Sequence, residues 1–283
     1  MQHPEVIING RRDEQVSSLD RGLLYGDGVF ETIAVKNGVL LQWEDHLERL
    51  LIGCEKLGIQ GLDAKQLEKE ALQLLEAESD SKCVIKIIIT RGIGDRGYKP
   101  TQQDLTRIVQ KFPWPAHPAS FAEEGVKVTQ CTFRLAKQNK LAQIKHLNRL
   151  EQVLARSEWE DEFQEGLVCD TDDNIIEATS SNVFFQIDNT LVTPDLNQCG
   201  VAGVMRKKII EYCSKKNVAM QIRDVKLTEI GSMQAMFLCN SVNGIWPVRS
   251  FCGRKLDKTA IIEQLIADSV SYTHLTLPTT PYV

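Results

Sequence analysis

Hydrophobic and polar positions in the first half of the chain alternate in short blocks that predict strands and helices in turn. Leucines at helical spacing follow Trp43, while the branched apolar run after Cys83 is typical of a strand. Asn37-Gly38 closes an earlier apolar run and is a hairpin-turn sequence. The predicted elements are strands beginning at Val6 and Gly28, helices from Trp43 to Lys56 and from Asp63 to Glu78, and a strand from Cys83 to Thr90.

The second half of the chain is predicted to be richer in strands. Four apolar side chains at helical spacing mark a helix immediately after Lys145. These side chains are Leu147, Leu150, Val153 and Leu154. The other predicted elements are strands at 125–132, 165–170, 175–178, 183–187 and 190–193 and helices at 204–216 and 258–269.

Three prolines lie between Phe112 and Ser120, directly after a predicted strand, and predict an interdomain linker. With 283 residues the chain is long enough for about two domains. We therefore expect an α/β fold with a smaller N-terminal domain over residues 1–115 and a larger C-terminal domain over 116–270. Residues 271–283 continue no earlier pattern and are expected to be a foreign segment or an ordinary disordered tail.

The composition is that of a globular protein, with 42% apolar and 25% charged residues. A net charge of −5 indicates no basic face for nucleic acid, although a small anionic ligand needs only a local positive site. No segment is long and apolar enough for a spanning helix, and the N-terminus lacks the apolar stretch of a signal peptide. We therefore expect no nucleic-acid partner and no membrane partner.

Eight cysteines are scattered singly along the chain, and none forms a Cys-x-x-Cys pair. Because several lie in apolar runs, they are predicted to be reduced, buried thiols of a cytoplasmic protein. The five histidines are also scattered and show no spacing typical of metal ligands, so we expect no metal site.

Three features offer candidate chemistry, and each has a simpler interpretation when it is taken alone. Partial burial of Lys145 would lower its pKa and leave a free amine, but the position also fits a solvated helix start. Glu177 follows two isoleucines in a predicted strand, and is either a paired buried carboxylate or a strand-edge residue in solvent. The loop from Gly200 to Gly203 precedes a helix, and would either direct free N–H groups at an anion or form a simple turn.

Together these features resemble the signature of the class IV aminotransferase-like enzymes, which use pyridoxal 5′-phosphate. The matching run begins about thirty residues after Lys145. It comprises Glu177-Ala-Thr-Ser-Ser-Asn182-Val-Phe-Phe, Leu191-Val-Thr193 and Gly200-Val-Ala-Gly203-Val-Met-Arg206. The resemblance implies the two-domain α/β architecture with mixed sheets of fold type IV, as in D-amino acid aminotransferases, and pyridoxal 5′-phosphate as cofactor.

The resemblance also implies how the cofactor is held. Lys145 matches the lysine that carries the cofactor covalently, and Glu177 matches the glutamate that keeps the ring nitrogen protonated. Arg49 matches the arginine that binds the phosphate, a group that it can contact in a bidentate manner.

Further positions match residues around the cofactor in the same family. Backbone groups of Val204 and Met205, together with Ser241, match phosphate contacts. Ser181 and Asn182 match residues that flank the cofactor beside the glutamate.

Within the family, three segments most resemble the 4-amino-4-deoxychorismate lyases, although close variants of the third occur across the family. They are Thr90-Arg-Gly-Ile-Gly-Asp-Arg96-Gly-Tyr98, Ile144-Lys-His-Leu-Asn-Arg-Leu-Glu-Gln-Val-Leu154, and the run from Ser18 to Glu31. This resemblance implies elimination of pyruvate from aminodeoxychorismate to give 4-aminobenzoate, a folate precursor, with Lys145 as general base. The alternatives are a D-amino acid or branched-chain aminotransferase and, more remotely, a non-catalytic ligand-binding homologue.

Substrate contacts are expected outside the cofactor signature. Arg96 and Tyr98 lie in a glycine-rich loop that suits carboxylate recognition, although a solvated loop arginine is the simpler interpretation of Arg96. The family builds its active site near a subunit interface. The resemblance therefore implies a homodimer in which Tyr25 or the Arg96 loop contacts the partner's site.

Overall fold

Five strands from the first part of the chain form one sheet in the computed structural model, which describes residues 5–75, 81–100 and 104–272. They are β1 (Glu5–Ile8), β2 (Gly28–Lys36), β3 (Val39–Leu40), β4 (Lys82–Thr90) and β5 (Thr106–Pro113). Their order is β1-β5-β4-β2-β3, and every neighbouring pair is antiparallel. Asn37 and Gly38, between β2 and β3, have φ angles of 50° and 75°, as a tight hairpin turn requires, so the predicted hairpin is confirmed.

The second sheet has nine strands and mixes parallel with antiparallel pairs. They are β6 (Val126–Leu135), β7 (Glu165–Asp170), β8 (Ile175–Ala178), β9 (Asn182–Ile187), β10 (Thr190–Pro194), β11 (Met220–Arg223), β12 (Ala235–Asn240), β13 (Gly244–Phe251) and β14 (Arg254–Lys255). The order is β11-β10-β9-β12-β13-β6-β7-β8, and β14 pairs with β13. β6 runs parallel to both β13 and β7, and β10 runs parallel to β11. The α/β class with mixed sheets is thereby confirmed.

Seven α-helices and one 3₁₀ helix are present in the described ranges. The α-helices are α1 (Arg21–Tyr25), α2 (Trp43–Leu57), α3 (Ala64–Gln73), α4 (Ser120–Glu123), α5 (Leu150–Arg156), α6 (Val204–Lys216) and α7 (Ala260–Tyr272). The 3₁₀ helix spans Leu227–Ser232. None of the helices in these ranges has the length and apolar character needed to cross a bilayer.

The first sheet packs around one hydrophobic core, and the second sheet packs around several. In the first sheet, Leu50 of α2 and Leu67 of α3 are buried together with Ile33 and Ile85 of the central strands. In the second, Phe184 packs with α6 and α7 on one side, while the next residue, Phe185, belongs to a separate core. This division follows from the alternation of side chains along a strand. Burial of each such large apolar side chain stabilises the fold by about 1.5–3 kcal/mol.

Several predicted boundaries are wrong. The helix expected immediately after Lys145 begins only at Leu150, because Gln143 and His146 pair with Val201 and Val29 of other segments. The helix predicted to reach Glu78 ends at Gln73, and its predicted last residues, 76–78, lie outside the described ranges. The predicted linker overlaps the end of β5 and the start of α4, and α7 begins two residues later than expected and reaches Tyr272.

The division into domains at 115/116 stays a prediction, as does the separate character of residues 271–283, most of which lie outside the described residues. The prediction of buried cysteines is confirmed for seven of the eight. It is wrong for Cys252, which is exposed in the turn between β13 and β14.

Candidate active site

A cavity of about 880 Å³ brings together side chains from both sheets. Eight of the predicted site residues line it, namely Arg49, Lys145, Glu177, Ser181, Asn182, Val204, Met205 and Ser241. These residues are distant in the sequence, so their convergence is a property of the fold. The volume is in the range of pockets that bind small molecules and cofactors.

The segment that carries Lys145 is fixed by backbone hydrogen bonds on two sides. Towards the first sheet, the Phe30 N–H donates to the Lys145 carbonyl at 2.9 Å, and the Leu147 N–H donates to the Gly28 carbonyl at 2.9 Å. Towards the second sheet, the Gln143 N–H donates to the Gly200 carbonyl at 2.8 Å. The segment therefore connects β2 with the loop that precedes α6.

The side chain of Lys145 has no hydrogen bond and no ion pair with any described residue. Its Nζ lies 4.5 Å from the centroid of the Phe30 ring. Burial lowers the pKa of Lys145 to about 8, and the positive charge of Arg49 acts in the same direction. A lysine in this environment has much more free, nucleophilic amine near neutral pH than an exposed lysine has.

Glu177 lies in β8 and is only 5% exposed. Its Oε2 accepts a hydrogen bond of 2.8 Å from the Val201 N–H, and it accepts no other within the described ranges. Burial raises the pKa of Glu177, and the Val201 N–H and the charges of Arg149 and Lys145 only partly oppose this. The carboxylate therefore lacks a full counter-charge, which a protonated heterocycle in the cavity would supply.

Arg49 is positioned by a buried carboxylate that the sequence analysis missed. Glu31, in β2, accepts from Arg49 Nε at 2.7 Å and from Arg49 Nη2 at 2.5 Å, and contacts His46 Nδ1 at 2.7 Å. Arg49 Nη1 donates to the Ala202 carbonyl at 3.0 Å. Burial alone would raise the pKa of Glu31, but the charge and hydrogen bonds of Arg49, together with His46, lower it to about 2.

This arrangement leaves part of the guanidinium group of Arg49 available. Arginine has five N–H donors, and three are used by Glu31 and Ala202, so two have no acceptor among the described residues. The predicted phosphate contact would have to use these two donors, because the Nε–Nη2 edge of Arg49 faces Glu31. Arg49 thus retains both a positive charge and free donors beside the cavity.

The N-terminus of α6 opens into the same cavity. Its N-cap is Gly203, and no side chain caps it, so the first N–H groups of the helix, including those of Val204 and Met205, have no intrahelical acceptor. A Cβ atom on Gly203 would lie 2.0 Å from Asn182 Oδ1, so the close approach requires glycine. Free N–H groups at the positive end of a 13-residue helix favour an anion at this position.

Asn182 and Ser241 shape the cavity through contacts with the backbone. Asn182 Nδ2 donates to the Val201 carbonyl at 2.9 Å, which fixes the loop in front of α6. The Ser241 hydroxyl donates to the Thr32 carbonyl at 3.3 Å, and Thr32 also lines the cavity.

Ser181 belongs to a turn that is organised by a second buried carboxylate, Glu165, which sequence reasoning also missed. Glu165 is 3% exposed and accepts hydrogen bonds from the hydroxyl groups of Thr179, Ser180 and Ser181. Ser181 Oγ in turn accepts from Asn240 Nδ2 at 3.1 Å. An acidic residue at the start of an apolar strand was the available signal, because such a residue is buried only with partners.

Three predicted substrate contacts lie outside the cavity of their own chain. Tyr98 is 86% exposed, Arg96 is also exposed, and neither lines the cavity. The Tyr25 hydroxyl accepts from the Gly97 N–H at 3.1 Å, and the Tyr25 and Tyr98 rings meet at 5.5 Å. The Arg96 loop is therefore attached to α1, and the substrate contacts of Tyr25, Arg96 and Tyr98 stay predictions.

The residues of the cavity fit pyridoxal 5′-phosphate by their chemistry. The cavity contains a free amine of lowered pKa for the aldehyde, a buried carboxylate without full compensation for the ring nitrogen, and an uncapped helix N-terminus beside Arg49 for the phosphate. Among the described residues, no group of three or more histidine, cysteine or acidic side chains could hold a metal ion.

Comparison with known proteins gives one family and several similar enzymes. The sequence model of the amino-transferase class IV family matches residues 28–251. An aminodeoxychorismate lyase from Vibrio harveyi is 37% identical over 243 residues, which cover 85% of this chain and 89% of the relative. A D-alanine aminotransferase from Bacillus licheniformis is 25% identical over 263 residues, which cover 90% of this chain and 91% of that enzyme.

A solved structure gives the same result in three dimensions. The crystal structure of a 4-amino-4-deoxychorismate lyase from Pseudomonas aeruginosa aligns with a TM-score of 0.89 at 43% identity. The alignment covers 94% of this chain and 97% of that enzyme. The similarity therefore extends over both sheets and the cavity between them.

Proposed function

Because the chain belongs to the class IV aminotransferase family, we propose that it is a lyase that converts 4-amino-4-deoxychorismate to 4-aminobenzoate and pyruvate. The lyases from Vibrio harveyi and Pseudomonas aeruginosa, at 37% and 43% identity, support this activity over the aminotransferase alternative, for which relatives are 27% and 25% identical. The product 4-aminobenzoate is a folate precursor, so the enzyme acts in folate biosynthesis.

Pyridoxal 5′-phosphate is the cofactor, and when bound it supplies an electron sink conjugated to the substrate amine. Lys145 holds its aldehyde, Glu177 holds its ring nitrogen, and Arg49 holds its phosphate together with the N–H groups of Val204 and Met205. Ser181, Asn182 and Ser241 form the walls beside it. The fit of these groups to one small molecule supports the assignment.

Lys145 has two tasks in the proposed reaction. Its amine would hold the cofactor in the resting enzyme, and when the amine is not joined to the cofactor it would be free to act as a base. It removes the proton from the ring carbon that bears nitrogen, and the bond from the neighbouring carbon to the enolpyruvyl oxygen then breaks. The proton returns to the methylene carbon of the leaving group, which departs as pyruvate, and the ring becomes aromatic.

Glu177 contributes a fixed negative charge rather than a proton transfer. A carboxylate at the ring nitrogen stabilises positive charge there, and this charge favours withdrawal of electrons from the substrate carbon. Aromatisation of the product provides much of the driving force, so the other residues act mainly by orientation.

The observation that carries the proposal is the convergence of Lys145, Glu177 and Arg49 on one cavity in a chain 43% identical to a lyase of known structure. The test is to incubate the purified protein with aminodeoxychorismate and to measure 4-aminobenzoate and pyruvate. Equal amounts of both products, and their loss in Lys145→Ala, are expected.

Parallel assays separate the alternatives. Rapid amino-group transfer from D-alanine or leucine to a keto acid, without 4-aminobenzoate, would replace the lyase by an aminotransferase. Full lyase activity in Lys145→Ala would exclude both enzymatic mechanisms, and inactivity of the wild-type protein in every assay would favour a ligand-binding homologue.

A homodimer in the cytoplasm is also proposed. The side chains of Leu150, Val153 and Leu154 on α5 are 75%, 59% and 53% exposed, which is unusual for three apolar residues on a two-turn helix. Leu23 and Leu24 on α1 are also exposed, and Asn148 Nδ2, just before α5, donates to the Gly26 carbonyl just after α1 at 3.0 Å. A second copy that covers this surface would lie next to the Arg96 loop.

A further inference from the structure

Four cationic side chains line the cavity, and three of them are committed to other contacts. Arg49 is held by Glu31, and Lys145 is the proposed attachment point. Arg156 donates to the Trp159 carbonyl at 2.6 Å and to the Glu160 carbonyl at 3.2 Å, and stacks on the Trp159 ring at 4.8 Å. The fourth cation is Arg149, which has no role in holding the cofactor or in the proposed proton transfer.

The guanidinium group of Arg149 is fixed on one edge and free on the other. Nε donates to the His146 carbonyl at 2.9 Å, and Nη2 contacts His146 Nε2 at 2.8 Å. Nη1 of Arg149 has no hydrogen-bond partner among residues 5–75, 81–100 and 104–272, and Arg149 forms no ion pair with a carboxylate in these ranges. A half-buried cation without a counter-ion is costly, and a bound anion would remove that cost.

His146 can hold this arginine only as a neutral acceptor. Arginine has donors but no acceptor, so the proton of the imidazole must be on Nδ1 when Nε2 contacts Arg149. Burial lowers the pKa of His146 to about 4, and the charge of Arg149 acts in the same direction. Across the neutral pH range His146 is therefore an uncharged support that does not compete with an anion.

Arg149 also lies close to the reacting groups. It lines the same cavity as Lys145 and Glu177, it follows Lys145 by four residues, and its charge acts to lower the pKa of each of these two groups. Aminodeoxychorismate has two carboxylates, and the Arg96 loop lies outside the cavity of its own chain. At least one substrate carboxylate can thus be recognised without the partner subunit.

We propose that Arg149 binds a substrate carboxylate inside the cavity of its own chain, and that His146 is the positioning residue that holds its guanidinium group. This inference depends on the proposed lyase function for the identity of the substrate. Recognition of the carboxylate itself can be tested without turnover.

The probe is chorismate, which has both carboxylates but a hydroxyl group in place of the amine that reacts. Its dissociation constant is measured by calorimetry on the protein loaded with pyridoxal 5′-phosphate, for the wild type, Arg149→Met, Arg149→Lys and Arg156→Met. In Arg149→Met, chorismate affinity is expected to fall about 10- to 100-fold, the effect of losing a hydrogen-bonded charge. The chorismate affinity of Arg149→Lys should lie between those of the wild type and Arg149→Met. The affinity of the matched control, Arg156→Met, should stay within about threefold of that of the wild type.

Kinetics give a second readout. In Arg149→Met, KM for aminodeoxychorismate should rise by a similar factor while kcat changes much less, and cofactor affinity should stay constant. His146→Leu should raise KM by a smaller factor. His146→Gln, whose amide oxygen can still accept from Arg149, should have a KM close to that of the wild type. If Arg149→Met does not fold, Arg149→Lys and the two His146 variants provide the same comparison.

Unchanged chorismate affinity in Arg149→Met, or an equal loss in Arg156→Met, would overturn the inference. If the wild type binds chorismate in a manner that depends on Arg149 but releases no 4-aminobenzoate, the proposed function fails and the carboxylate site stands. If the wild type forms 4-aminobenzoate and Arg149→Met keeps the same KM, the proposed function stands and the carboxylate site fails.

Discussion

The carboxylate of Glu31 accepts two hydrogen bonds from Arg49, at 2.7 Å from Nε and at 2.5 Å from Nη2. Glu31 is 1% exposed and Arg49 lines the cavity. The contact therefore fixes the guanidinium group at the proposed phosphate site to a buried strand of the first sheet. The pair therefore links the stability of the protein to cofactor binding.

Glu31→Gln is expected to lower both properties. Removing one partner of a buried ion pair lowers the free energy of unfolding by about 3–5 kcal/mol. Affinity for pyridoxal 5′-phosphate should fall on the order of tenfold, because Arg49 loses a charged hydrogen bond that orients it. Urea denaturation of the apoprotein and a fluorescence titration with the cofactor measure the two effects.

Glu70→Gln is the matched control for Glu31→Gln. Glu70 is fully buried and pairs with Arg107 at 2.8 Å, but neither residue lines the cavity. A similar loss of stability with unchanged cofactor affinity is expected. Equal losses of cofactor affinity in both variants would show that Glu31 acts only through general stability.

Labelling of Lys145 should depend on pH with a midpoint near 8. Burial, together with the charge of Arg49, lowers the pKa of Lys145 to about 8, and only the uncharged amine reacts with acetic anhydride. Mass spectrometry of the labelled peptides from the apoprotein between pH 6 and pH 10 measures the profile. Lys207 is the internal control, because hydrogen bonds to Asp45 and Glu48 raise its pKa. Coincident profiles for both lysines would contradict the lowered pKa of Lys145.

Glu177→Gln should separate activity from stability. Burial raises the pKa of Glu177 in the folded protein, so folding disfavours its charged form, and the wild type loses stability as the pH rises through this pKa. The neutral variant lacks this loss and can still accept from the Val201 N–H. At pH 8 its apoprotein should be at least as stable as the wild type in thermal denaturation.

The same variant should have a kcat for 4-aminobenzoate formation that is lower by at least about 100-fold, because the charge opposite the ring nitrogen is gone. Steady-state assays at saturating cofactor measure this. A kcat near that of the wild type would remove Glu177 from the proposed mechanism.

Gly203→Ala should damage the anion site at the start of α6. The added Cβ would lie 2.0 Å from Asn182 Oδ1, so either Asn182 or the helix must move. We expect a loss of about 1–3 kcal/mol in unfolding free energy and weaker binding of pyridoxal 5′-phosphate, measured by denaturation and titration. Gly231→Ala is the control, since nothing lies within 4 Å of its added Cβ. Normal cofactor affinity in Gly203→Ala would show that the helix N-terminus does not hold the phosphate.

The double substitution Leu150→Ser, Leu154→Ser should dissociate the proposed dimer. Both side chains are more than half exposed in the single chain, so their replacement should leave the fold intact, which circular dichroism can verify. Light scattering is expected to give a dimer for the wild type and a monomer for the variant at micromolar concentration. Ile222→Ser, at an exposed apolar position on β11, is the control and should stay dimeric. A monomeric wild type would refute the proposal.

The sequence predicted most strands and the cofactor residues because these have strong local signals. Short apolar runs separated by turn residues gave β7 to β10, and the run from Glu177 to Arg206 placed most of the cofactor residues together in one matching segment. Periodicity was less informative about surfaces. It indicated a helix after Lys145, but Leu150 and Val153 of that helix face solvent in the single chain, because the spacing of apolar residues does not identify the surface that they cover.

The supporting residues of the cavity were not predictable in the same way. Glu31 meets Arg49 across 18 positions and Glu165 meets Ser181 across 16, and each contact forms only when separate elements pack together. Arg149 lay within a segment already recognised by its resemblance, yet only the folded structure shows that its Nε and Nη2 contact His146 while its Nη1 has no partner in the described part of the chain.

The backbone of Lys145 is hydrogen-bonded to β2 in the first sheet, whereas Glu177 is a residue of β8 in the second sheet. Neither sheet alone can therefore assemble the pair, and local unfolding of either one would abolish turnover before the whole chain denatures. Catalytic activity during a denaturant titration should thus be a sensitive reporter of cooperativity between the two halves of the molecule.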